Sequence, residues 1–239
     1  MTITKDQADG AAGAGAATKF VYLFSEIDAA QHEKCGGDWN LVRGLLGGKG
    51  ANLGDMTRLG IPVPPGFSVT TEACNSYLAN DEQFPEGMWE QVLNAVAEIE
   101  KVMGRNFGDP QKPLLFSCRS GAKFSKPGMM DTVLNIGLND AVAAAWADRI
   151  GDERFVYDAY RRLVQMFGSV VLGLPDEAFE LVITDYRKRA GVETDSDLSA
   201  QDWYAMTQKF KQIIKSYTGE PFPTVPRLCS QSCSPVLLS

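Results

Sequence analysis

The chain has 239 residues, 44% of them hydrophobic and 22% charged, with a formal net charge of −7. That length allows one core or two small ones, the apolar fraction excludes wholesale disorder, and the acidic balance argues against a broad nucleic-acid or anionic-membrane surface while leaving room for a local basic pocket. No apolar run reaches the ~18 to 20 residues that span a bilayer, and five cysteines without a paired framework suit a reducing compartment, the cytoplasm by default.

Residues 1–18, with Asp6, Asp9 and the small-residue run from Ala11 to Ala17, lack the basic start of a signal or transit peptide and read as a flexible leader. Phe20-Val21-Tyr22-Leu23-Phe24 is aromatic, β-branched and too short for a helix, which predicts a buried strand. A polar stretch from Ser25 to Arg43 follows, and then the turn Gly47-Gly48-Lys49-Gly50. The turn leads into a helix over Ala51 to Leu59 with Leu53, Met56 and Leu59 at helical spacing. The prolines of Ile61 to Gly66 force an extended approach to a second strand ending near Thr70, and Thr70 or Thr71 caps the next helix. Val92, Ala95, Val96, Ile99 and Val102 mark a helix over Met88 to Met103.

Leu114-Leu115-Phe116-Ser117-Cys118 predicts a strand that delivers Arg119 to its end, and Thr132 to Ile136 predicts its neighbour. Beyond Asp140, expected as an N-cap, the pattern is helical only: Ala141 to Ile150, Asp152 to Leu172, Asp176 to Ala190 and Ser199 to Tyr217. Trp203, Met206, Phe210, Ile213, Ile214 and Tyr217 form the stripe of the last. The expected organisation is an α/β subdomain at 19–139, a helical subdomain at 140–222 and an irregular tail at 223–239, with no internal repeat. Cys229 and Cys233 in that tail have no second ligand pair, so they do not read as a zinc site.

Two segments carry chemistry. Gly44 to Lys49 has some P-loop character, but the glycine spacing is too short and Gly50 stands where Ser or Thr would hold magnesium. What remains is a glycine turn with Gly47, Gly48 and Gly50, backbone donors, Lys49 and a helix N-terminus, which suits phosphate. On this stretch alone a tight turn with a solvated lysine reads equally well. Arg119 adds a planar fork of donors at a strand end, with Ser117, Ser120 and the Gly121 backbone beside it; the plain alternative is a surface ion pair. In the loop that follows, Gly128 permits close backbone approach, Met129 and Met130 give apolar cover, and Asp131 and Thr132 offer polar groups, an arrangement expected of a lid.

Leu46 to Leu53, Gly60-Ile61-Pro62-Val63-Pro64-Pro65-Gly66-Phe67, Arg119-Ser120-Gly121-Ala122 and Pro127-Gly128-Met129-Met130-Asp131-Thr132-Val133-Leu134-Asn135 together resemble, in order and spacing, the start of the pyruvate, phosphate dikinase family over roughly residues 19–223. The resemblance implies an α+β chain: an ATP-grasp-like subdomain followed by an all-helical one, the grasp being incomplete. It also implies that Lys49, Arg119, Gly128, Met130, Asp131 and Thr132 contact ATP phosphates, with Arg119 catalytic and Gly47, Gly48, Gly50, Ser120 and Gly121 in support. ATP and magnesium are the implied cofactors, with the metal ligands expected beyond this chain. Pyruvate and phosphate would be engaged through further domains, no nucleic acid or membrane is expected as a partner, and the family suggests a homo-oligomer. The family's carrier histidine lies past the matched region; His32, in Ala30-Gln31-His32-Glu33-Lys34, lacks the Thr-Ser-His context and is expected at the surface. The chain alone is expected to be inactive. A stand-alone nucleotide- or phosphate-binding protein is the alternative, and a relative of phosphoenolpyruvate synthase, whose second block lacks Pro-Gly-Met-Met-Asp-Thr, a minor one.

Overall fold

A computed structural model describes residues 18–120 and 132–223. The aromatic, β-branched run near the start forms β1 (Val21–Leu23), which pairs antiparallel with β2 (Phe67–Val69), Val21 opposite Val69 and Leu23 opposite Phe67. Between them the polar stretch from Ser25 to Arg43 is helical over most of its length. A 3-10 turn at Phe24–Glu26, α1 (Ile27–Ala29) and a π-type turn at Ala30–Lys34 run together, and α2 (Trp39–Arg58) begins at an Asp38 cap whose carboxylate accepts from the Asn40 amide at 2.7 Å. The reason is apolar content hidden among polar residues: Ile27, Ala30, Cys35 and Val42 are buried in one cluster with Tyr22. His32 is exposed on this stretch, as expected.

The face of α2 that packs inward also differs from the expected stripe. Met56 and Leu59 are 37% and 68% exposed, whereas Ala51 and Gly54 are buried. Small residues let the helix approach its neighbours closely: a Cβ on Gly54 would lie 2.8 Å from the Ile27 side chain, and one on Gly50 would lie 2.2 Å from the Ser68 hydroxyl. Arg58 closes the far end, stacked over the Trp39 ring at 5.6 Å and bonded to Asp28, Gln31 and Asp55.

Thr70 caps α3 (Thr71–Ala79), accepting from the Ala73 amide at 3.3 Å. Helix α4 (Met88–Met103) has the expected bounds and ends at Gly104 in the left-handed conformation; Val92, Ala95 and Ile99 are buried, but Val102 is exposed. The expected strand at 114–118 is broken in two. β4 (Pro113–Leu114) pairs with β3 (Asn106–Phe107), and β5 (Phe116–Arg119) pairs antiparallel with β6 (Thr132–Ile136). The strands thus form three two-stranded ladders among the described residues, in a mixed α+β chain.

Four helices complete it. Asn139, rather than Asp140, caps α5 (Asp140–Ile150), accepting from the Val142 amide at 2.8 Å; Asp140 instead pairs with Lys211 at 2.6 Å. Helix α6 (Glu153–Met166) is shorter than expected because the backbone relaxes into a π-type turn at Phe167–Val171, where Gly168 lies so close to Phe179 that a Cβ would meet its ring at 2.3 Å. Helix α7 spans Asp176–Ala190, and α8 (Ala200–Thr218) starts at a Ser199 and Asp202 capping box. In α8 Trp203, Met206, Phe210 and Ile214 are buried, while Tyr217 lies outside the stripe at 58% exposure. The largest core runs unbroken from Cys118, Val133 and Ile136 on β5 and β6 to Phe179 and Phe210 on α7 and α8.

Candidate phosphate site

Gly47 divides α2. Its φ of 71° and ψ of 163° fall in a region open in practice only to glycine, so the chain turns there and starts a fresh helical run at Gly48. The first amides of that run, Gly48, Lys49 and Gly50, have no carbonyl one turn back within it, and the run's partial positive end lies at the turn. Gly47 and Gly48 are buried and Lys49 is half-buried, which places a cation beside a set of backbone donors. Gly50 serves packing, since only a hydrogen fits against Ser68. The turn is held from outside as well. The Thr71 hydroxyl, spared from capping by Thr70, donates to the Gly44 carbonyl at 2.8 Å and ties α3 to the segment leading into the break.

Arg119 ends β5 directly opposite Thr132, the first residue of β6. Alternation along β5 and into the residue after it buries Cys118 and Ser120 and leaves Ser117 and Arg119 exposed, so the guanidinium fork projects away from the large core. The structure therefore brings together Arg119 and Thr132 on one side, and Gly47, Gly48, Lys49 and Gly50 on the other. The first pair stands on the β5 and β6 ladder over the large core, the second within α2 beside the cluster of Leu45, Leu46 and Ala51. Ser120 is buried, at 5% exposure. Gly121, Gly128, Met130 and Asp131 lie outside the described residues, as do the leader through residue 17 and the tail from residue 224.

Among the described residues no group of three or more His, Cys, Asp or Glu side chains stands ready for a metal ion. Burial pushes the Cys35 and Cys74 thiols above their ordinary pKa, the opposite of an activated thiolate. No helix among the described residues is long and apolar enough to cross a membrane.

Two residues that shape these segments carry weak sequence signals. Thr71 was weighed only as a cap, and two adjacent threonines before a helix were the available signal that one was free for another bond. Asn135 looked like an ordinary strand residue, but it has a left-handed φ of 61°; an asparagine two residues before a glycine in a β-branched run was the hint.

The family described as "Pyruvate phosphate dikinase, AMP/ATP-binding domain" matches residues 43–86, which contain the glycine turn, β2 and α3. The chain is 49% identical over 210 residues to pyruvate, phosphate dikinase of Rhizobium meliloti (strain 1021), covering 88% of this chain and 23% of that protein. It is 44% identical over 210 residues to pyruvate, phosphate dikinase of Clostridium symbiosum, covering 87% and 23%, and 48% identical over 186 residues to pyruvate, phosphate dikinase 2 of Zea mays, covering 78% and 21%. The chain spans about a fifth to a quarter of the length of the curated relatives it matches.

Proposed function

We propose that this chain, a relative of the pyruvate, phosphate dikinases, supplies the part of their nucleotide site that grips the phosphates of ATP. The observation that carries this reading is the break at Gly47, which costs backbone freedom to present amides and Lys49 at a helix start within the segment matching the AMP/ATP-binding family. Arg119 is the second grip, a planar fork beside the Thr132 hydroxyl. Phosphoryl transfer rests on positioning and charge neutralisation, so cations held on a helix start and a strand end are suitable tools.

The whole reaction belongs to the same proposal. ATP gives up its two terminal phosphoryl groups to a histidine outside the matched residues, leaving AMP. One phosphoryl then passes to inorganic phosphate as pyrophosphate and the other to pyruvate as phosphoenolpyruvate. In this reaction Lys49 and Arg119 hold and neutralise the phosphate oxygens, and the Gly48 to Gly50 amides orient them. In this reading the residues up to 139 belong to an ATP-grasp subdomain, packed against the helical part through the core that β5 and β6 share with α5 to α8. Magnesium accompanies ATP, but the described residues offer no ligand set for it and none is assigned. A cytoplasmic homo-oligomer is the corresponding cellular form.

Titration of ATP, AMP and tripolyphosphate into the chain tests the assignment. Charge-assisted hydrogen bonds of this kind are worth about 1.5–3 kcal/mol, so Lys49→Ala and Arg119→Ala each weaken ATP and tripolyphosphate binding by roughly 10- to 100-fold at unchanged thermal midpoint. AMP, which lacks the terminal phosphates, is affected much less. Wild-type affinity for ATP in both variants would refute the site.

A further inference from the structure

The β5 and β6 pair contains one residue more than a regular ladder needs. Arg119 lies opposite Thr132 and Cys118 opposite Val133, yet Phe116 lies opposite Ile136, so Leu134 and Asn135 together face Ser117. This is a β-bulge. Asn135 is the residue that bends: its φ is 61°, a left-handed conformation that asparagine adopts more readily than other non-glycine residues. Its side-chain amide donates to the Ala159 carbonyl of α6 at 3.1 Å, and its own carbonyl accepts from the Leu138 amide at 3.2 Å.

What the bulge achieves follows from alternation. In a regular strand Val133 and Ile136, three residues apart, face opposite sides. Here both are buried in the same cluster, at 0% and 3% exposure. The extra residue lets the strand seat Ile136 and Leu138 in the core at one end while keeping Val133 inward and Thr132 across from Arg119 at the other. A slip of one residue would exchange the faces and remove Thr132 from that place.

We propose that Asn135 is a positioning residue for phosphate binding: anchored to α6, it holds the bulge that sets Thr132 across from Arg119. This role rests on the assignment of Arg119 as a phosphate ligand. Asn135 itself contacts no ligand and acts through the register of β6.

The test is a tripolyphosphate titration of the isotope-labelled chain, following the Arg119 Nε–H resonance, the cross-strand contact between the 119 and 132 backbones, and the thermal midpoint. Asn135→Gly permits the left-handed backbone while deleting the tether to Ala159. It is expected to fold, to bind tripolyphosphate about tenfold more weakly and to lose much of the Arg119 shift. Wild-type affinity and an intact Arg119 shift, with only the thermal midpoint lowered, would show a purely structural role and overturn the proposal. Asn135→Asp, which keeps the left-handed preference and loses the donor, gives the same reading if the glycine variant does not fold. Arg119→Ala, run alongside, separates the two levels. Unchanged binding there removes the phosphate assignment and this role with it, whereas lost binding there with wild-type behaviour in Asn135→Gly removes this role alone.

Discussion

The helix that presents Lys49 rests on glycine and alanine, whereas the strand that presents Arg119 rests on aromatic rings. Around Lys49, Gly50, Ala51 and Gly54 bring α2 against Ser68 and Ile27, and precision comes from backbone approach and from single hydrogen bonds such as Thr71 to Gly44. Around Arg119, Cys118 and Val133 join a core whose rings meet edge to face, as Phe179 and Phe210 do at 5.0 Å and 85°. The first arrangement tolerates little added volume and the second little lost volume. Close-packed interiors resist both changes, but by different mechanisms.

The largest effect should come from hollowing the aromatic side. Phe179 is fully buried, with its ring against Gly168 and Phe210, and Phe179→Ala should cost about 3–5 kcal/mol in urea unfolding. A loss below about 1 kcal/mol would mean that the core collapses around the void and that the contrast between the two scaffolds is misplaced.

On the other side the corresponding break is conformational. Gly47→Ala puts a side chain on a residue at φ 71° and ψ 163°, a strain of about 1–3 kcal/mol that the chain relieves by straightening α2. ATP affinity should fall further than stability does, because straightening returns the Gly48 to Gly50 amides to helical partners. Equal ATP affinity in this variant would separate the break from binding. Thr71→Val removes the hydroxyl from the Gly44 carbonyl and should cost about 1 kcal/mol, with a modest loss of ATP affinity. A variant as stable as the wild type would show that water replaces the bond.

Legibility in the sequence followed the same divide. Helices α4 and α7 had their bounds in view because large apolar residues recur on one face and glycine or proline ends them. The inward face of α2 did not, since periodicity of large residues selects Leu53, Met56 and Leu59, and a helix that packs through glycine and alanine carries no such stripe. The helical turns between Phe24 and Lys34 were hidden by polar neighbours around Ile27 and Ala30. Lys49 and Arg119 were visible as candidates because glycine turns and strand-end arginines have chemistry of their own. The bulge at Asn135 was not, because its cause is tertiary: Ile136 and Val133 must share one core.

The smallest effect has the opposite sign and sharpens the comparison most. Gly44 looks like one more glycine of the proposed phosphate turn, yet it lies within the helical run before the break, and a Cβ there would meet nothing within 4 Å. Its contribution to the turn is a carbonyl, which alanine retains. Gly44→Ala should therefore stabilise the chain by about 0.5–1 kcal/mol, through the lower entropy of the unfolded state, and leave ATP affinity unchanged. If ATP affinity falls while stability rises, the open space beside Gly44 is where the nucleotide passes, and the binding surface extends a full turn upstream of Gly47. If stability falls, the space is not open in solution and the helical segment before the break is held more tightly than the one that carries Lys49.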